Sequence, residues 1–198
     1  MTGRDLSKVA HASIWKNCHS GLLNVMPCAR EPHLTAAAAL PMNGAMTPVF
    51  FYHLERQPLE SVLPKLLNTS LERGWRVVVQ AGSEERSEAI AAQLWAHDED
   101  SFLPHGTKAD GFPDLQPIWI TAVEENPNNA NIRFFVDGAP VGDIAGLTRA
   151  VILFDGNDAE AVEAARAGWK RFKSAGHEVS YWQQDEQGRW QNRAAAGN

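Results

Sequence analysis

Short apolar runs alternate with helical periods along most of this chain, and that alternation constrains the fold more than any other feature. VFFYHL (49–54), RVVVQ (76–80), IWIT (118–121), IRFFV (132–136), VILF (151–154) and EVSYWQ (178–183) read as strands. Between the first two, Leu59, Val62, Leu63, Leu66, Leu67 and Leu71 recur at helical spacing, with Pro58 to open the helix and Gly74 to close it. Pro64 lies inside that pattern and predicts a position in the first turns or a kink. Ser83 can cap a second helix through Trp95, with Glu84 and Glu85 at its positive end. Asn157 can cap a third, with Glu160 as its box partner and Gly176 as its stop. Strands that alternate with helices predict a three-layer α/β/α sandwich on a mostly parallel central sheet.

The first 45 residues break from this pattern. They hold both cysteines, Cys18 and Cys28, and all four methionines lie at or before Met46. Four cations (Arg4, Lys8, Lys16, Arg30) face two anions (Asp5, Glu31) there, so the segment is +2 within a chain of net charge −6. It shows no sustained period and no signal-peptide core. It reads as a disordered extension upstream of a start at Met46; the alternative is a targeting or docking tail. Residues 46–190 then read as a single domain, followed by a polar tail over 191–198. A body without cysteine fits a reducing cytoplasm. The acidic balance argues against a general nucleic-acid binder, and no apolar run approaches the roughly 18 residues of a membrane span.

An α/β pattern invites a nucleotide site, yet the phosphate loops are missing. Neither G-x-x-x-x-G-K-[ST] nor G-x-G-x-x-G occurs, and the first strand leads into HLERQP without a glycine. Zinc spacings are missing too. Gly138, Gly142 and Gly146 read as turn residues. Asp137 and Asp155 each follow an apolar strand and precede a glycine. Such a pair could hold Mg²⁺ for phosphoryl transfer in a nuclease-like enzyme, or could be ordinary turn chemistry. The run Asp98-Glu99-Asp100 reads as a solvated loop, and His105 as a loop histidine with no partner identifiable from sequence.

Seven tryptophans make aromatics the remaining resource. Trp95, Phe102, Phe112 and Trp119 gather around the long loop 97–117, either as a protein-docking face or folded back onto the core. On the third helix, Val162, Ala165, Trp169 and Phe172 form the buried stripe. Arg166, Trp169, Lys170 and Lys173 share a flank at i, i+3, i+4 and i+7, while Arg171 points the opposite way. These cations either answer the negative end of the helix dipole, or form a cationic pocket with an aromatic wall for an acidic peptide or a free carboxylate.

The stretch LWAHDEDSFLPHG (Leu94 to Gly106) resembles the LW-x-x-x-x-x-SF-x-PH signature of the chi subunit of bacterial DNA polymerase III. So do the strand order after Met46 and the helix carrying Arg166, Trp169, Lys170, Ala175 and Gly176 before Trp182. The likeness covers residues 46 to about 183. It implies a fold similar to mononucleotide-binding proteins without a phosphate loop, no cofactor and no metal. It implies a non-catalytic accessory subunit of a DNA-directed DNA polymerase (a nucleotidyltransferase assembly), acting in DNA replication. Such a subunit links the clamp loader to single-stranded DNA-binding protein (SSB) and meets DNA mainly indirectly through it. In the resemblance, Arg166, Trp169, Lys170 and Lys173 take the SSB tail, which ends Asp-Asp-Ile-Pro-Phe; Trp95, Phe102 and His105 take the psi subunit or a repair helicase. The chain departs at Val162, where relatives can carry another Lys. The implied place is the cytoplasm, at replication forks, with no membrane attachment.

Overall fold

Strand β1 (Val49–Leu54) lies between two parallel neighbours, β6 (Arg149–Asp155) and β7 (Val179–Gln184). Its position explains its composition: a strand covered on both faces can carry an almost unbroken apolar run. In the computed structural model of the protein, residues 46–97 and 102–193 are described, and they fall within one compact unit. The first 45 residues, the acidic run at 98–100, Ser101 and residues 194–198 lie outside the described residues, and so do the expectations placed on them.

Helix α1 (Leu59–Glu72) leads to β2 (Val77–Gln80), and α2 (Glu84–Trp95) leads to a two-residue strand β3 (His105–Gly106). A 3₁₀ turn (Pro113–Leu115) precedes β4 (Ile118–Thr121), and β5 (Ile132–Phe135) follows. Helix α3 (Ala159–Ser174) joins β6 to β7, and β8 (Trp190–Asn192) closes the described chain. The sheet runs β3-β4-β2-β5-β6-β1-β7-β8, parallel except for the β7–β8 hairpin.

Alternation along the strands sorts the core into layers. Val77, Val79, Ile118, Ile120, Ile132, Phe134 and Leu153 face α1 and α2, meeting Val62, Leu67, Ile90 and Leu94. Val49, Phe51, Ala150 and Phe154 face the other way, onto Ala165 and Phe172 of α3. Helix α3 covers only part of that second face. Ala139, Ile144 and Leu147 from the loop after β5 cover more of it, and Ala130 closes over Val78 and Trp119. The asparagine-rich turn supplies this last cover: buried Asn128 donates to the Val77 carbonyl at 3.0 Å, and Asn126 Oδ1 accepts from Ala130 N at 2.7 Å. The three-layer α/β/α sandwich with a mostly parallel sheet is therefore the fold.

Several local expectations meet the structure directly. Ser83 caps α2, accepting from Arg86 N at 3.3 Å. Pro64 sits in the second turn of an unbroken α1 and is buried. The cap of α3 is Asp158, not Asn157: the Asp158 carboxylate accepts from Glu160 N at 2.9 Å. Asn157 is occupied one turn earlier, where its backbone N and Nδ2 both donate to Asp155 Oδ1 (2.8 and 3.0 Å). Gly176 ends α3 at φ 90°, a conformation L side chains resist. Strand β8 lies partly in the segment read as a polar tail. Asp185 Oδ1 builds its turn, accepting from Gln187 N and Arg189 N at 2.9 Å each, and Trp190 packs edge-on against Tyr52 at 4.8 Å.

Candidate functional site

Two surfaces and one cavity collect the chemistry-bearing residues. The cavity, about 1150 Å³, opens at the carboxyl ends of β1, β5 and β6. Chain leaves β1 through α1 on one face and leaves β6 through α3 on the other, and such switch points commonly bind ligands in α/β sheets. Here the rim is acidic: Glu55, Glu60, Asp137, Asp155, Asp158 and Glu160, against Arg56 and Arg171. The α1 N-terminus follows Pro58, which offers no side-chain cap, and the turn Glu55-Arg56-Gln57 contains no glycine. A phosphate would meet carboxylates rather than a nest of amides. Asp137 and Asp155 do converge on this cavity, and both are engaged. Arg86 Nε donates to Asp137 Oδ2 at 2.8 Å and its Nη2 forms an ion pair with the same oxygen at 2.8 Å, and Asp155 holds Asn157. Among the described residues no three His, Cys, Asp or Glu side chains gather as a metal site.

The first surface is a groove between one flank of α3 and the sheet. Val162, Ala165, Arg166, Trp169 and Lys170 form one wall, and Phe154 of β6 and Tyr181 of β7 form the other. Its volume, about 160 Å³, is below the roughly 300–1,000 Å³ of pockets that enclose drug-sized ligands, and suits a side chain. The helical period puts Arg166, Trp169 and Lys170 on one flank, and packing fixes the ring between them. Trp169 meets Phe51 edge-on at 5.8 Å and Tyr181 edge-on at 6.1 Å. Arg166 is 69% exposed and reaches Glu163, itself 74% exposed, at 3.6 Å. Lys170 is exposed, with no ion pair among the described residues. Lys173 is also exposed but lies one turn beyond the groove and does not line it. Arg171 points away, as its helix position requires, and donates to the Val141 carbonyl at 3.1 Å.

Tyr181 is the groove residue that sequence reasoning missed. Burial pushes its phenol pKa up, Glu55 adds to the shift, and Arg166 opposes it. The hydroxyl therefore keeps its proton across ordinary working pH. The alternation of β7 was the available signal, since Val179 and Tyr181 share the α3 face.

The second surface lies at the sheet edge. Trp95 and Phe102 are 62% and 68% exposed, with ring centroids 5.7 Å apart. His105 is placed differently: it is buried, 5.0 Å beneath the Trp95 ring. Its Nδ1 faces the Leu103 carbonyl at 2.7 Å and its Nε2 the Ala91 carbonyl at 3.1 Å. It ties the loop to α2 and offers no surface of its own. Of the other loop aromatics, Phe112 is exposed, whereas Trp119 is core and donates to Glu125 Oε1 at 2.8 Å.

Comparison with known proteins decides the family. The DNA polymerase III chi subunit family (HolC) matches residues 46–180, well over half of the chain. The chain belongs to that family. A curated relative, the probable DNA polymerase III subunit chi of Rickettsia prowazekii (strain Madrid E), is 25% identical over 103 residues. That alignment spans 52% of this chain and 62% of the relative. Within this chi-family chain, the matched region holds the α3 groove up to Ser180 and the whole Trp95–Phe102 surface, with Tyr181 just past its end. No helix among the described residues is long and apolar enough to cross a membrane.

Proposed function

We propose that this chain is a non-catalytic accessory subunit of the DNA polymerase III holoenzyme that links the clamp loader to SSB during replication. The observation that carries the reading is the α3 groove, a side-chain-sized slot with aromatic walls and two exposed cations at its rim. An acidic tail ending in Phe fits that chemistry. Its ring packs into the slot against Trp169 and Tyr181, and its terminal carboxylate meets Arg166 and Lys170 as charge-assisted hydrogen bonds. Lys173, one turn farther along the helix, lies where upstream Asp residues of the tail would pass. DNA is then reached mainly through SSB, which suits a chain of net charge −6.

The exposed Trp95–Phe102 pair is the second half of the proposal. It forms an aromatic anchor for the psi subunit or a repair helicase, with His105 holding the loop beneath it. The site of action is then the replication fork, in the cytoplasm.

A fluorescence titration tests the groove. A peptide ending Asp-Asp-Ile-Pro-Phe should change Trp169 emission on binding, and the same peptide with an amidated C-terminus should bind at least about tenfold more weakly. Equal binding of both forms would remove the carboxylate from the account.

A further inference from the structure

Behind the groove wall three polar side chains stand in line. Tyr181 Oη lies 2.7 Å from His53 Nδ1, and His53 Nε2 lies 3.3 Å from Glu55 Oε1. His53 is only 9% exposed; its ring stacks on Phe154 at 5.0 Å, and the Gly156 backbone backs onto Nε2 so closely that a Cβ there would collide with it. The contact to Glu55 has ion-pair distance without hydrogen-bond alignment, so Nε2 is a buried nitrogen lacking a well-directed acceptor. Glu55 is 41% exposed and accepts from Gln183 Nε2 at 3.0 Å.

This line has two hydrogen-bonding states. With His53 neutral, Glu55 favours the tautomer with hydrogen on Nε2, because the other tautomer would set a lone pair against a carboxylate. Nδ1 then accepts, so the Tyr181 hydroxyl donates inward and shows only lone pairs to the groove. With His53 protonated, Nδ1–H donates to Tyr181 Oη, and the phenol hydrogen is free to donate to a ligand. We propose that Tyr181 is a further carboxylate-binding residue of the groove, and that protonation of His53 turns its hydroxyl outward, so a carboxylate ligand binds together with a proton. The proposal rests on the groove accepting a carboxylate.

Every element around His53 contributes to this coupling. Glu55 just after β1 and Asp155 at the end of β6 are its anionic neighbours. Arg166 and Lys170 of α3 are the cations that line the groove. Strand β7 supplies Tyr181 and the neutral Gln183. Linkage then makes the effect reciprocal: the ligand favours the proton as much as the proton favours the ligand.

The test uses the full chain and two probes, N-acetylphenylalanine (one ring, one carboxylate) and the SSB-tail peptide, titrated from pH 5.5 to 8. Both should bind roughly tenfold more tightly at pH 5.5, the factor worth one hydrogen bond to a charged group. Calorimetry in two buffers of different ionisation heat should show proton uptake. Tyr181→Phe, which keeps the ring, should bind weakly at every pH with a flat profile. His53→Gln should also be flat, since it still bonds Tyr181 but does not titrate. A Tyr181→Phe variant that keeps the wild-type slope overturns the proposal. So does a flat wild-type profile with the peptide bound, which leaves the SSB reading standing. N-acetylphenylalanine binding with the slope while the peptide fails supports the relay and removes the SSB reading; if neither probe binds, both fall.

Discussion

Arg166 can answer either the helix dipole or a ligand, and substitution separates the two. It lies in the middle of α3 rather than in its last turn, which holds Arg171 and Lys173, so the dipole has little hold on it. Arg166→Ala should weaken tail-peptide binding about tenfold, and Arg166→Glu should weaken it further by repelling the Asp residues of the tail. Both differences should shrink in high salt, because the group is exposed. Melting temperatures that fall while affinity stays constant would assign the residue to the helix alone. Asp158→Ala is the contrasting case. Loss of the N-cap should cost about 1 kcal/mol of stability in a denaturant titration and leave peptide affinity unchanged, since Asp158 borders the carboxyl-end cavity and not the groove. The two substitutions differ in legibility as well. Arg166 was readable from a helical period, whereas the choice of Asp158 over Asn157 turned on which carboxylate Asn157 was already bound to.

At the scale of elements, α3 is held close to the sheet along its Ala165–Gly168 face. A Cβ added at Gly168 would meet the Phe51 ring at 3.5 Å, an ordinary contact, and its φ is not in the left-handed region. Gly168→Ala should therefore stabilise the protein by about 0.5–1 kcal/mol through helix propensity alone. A drop in the unfolding midpoint would mean that Phe51 cannot give way, and that close packing rather than backbone entropy governs the position. Helices α1 and α3 were legible because their apolar residues repeat at helical spacing over about three turns, and α2 because Ser83 caps it ahead of Glu84 and Glu85. Strand β3 was not, since two residues cannot show a period. Strand β8 carried a turn signal in Asp185–Gly188, but WQN offers little apolar alternation to confirm it.

For the whole molecule, the arrangement predicts two independent faces. The groove lies on α3, which covers β1, β6 and β7. The Trp95–Phe102 pair lies at the other edge of the sheet, beside β3. Phe102→Ala should weaken capture of the psi subunit or helicase partner by about tenfold or more and leave SSB-peptide affinity unchanged, as expected for distant sites without shared contacts. Parallel loss of both activities in binding assays would show the loop to be part of one common scaffold.

Local periodicity determined the α/β class, the helix flank with Arg166, Trp169 and Lys170, and the lack of a phosphate loop, because each is written in residues close together in the chain. Tertiary structure alone decided the rest. It buried His105 and left Trp95 exposed, and it paired Asp137 with Arg86 across 51 positions. It also brought Tyr181 onto His53 from 128 positions away, because β7 returns to pair beside β1. Strand pairing of that range depends on where α3 sets the chain down on the sheet, and no local period records it.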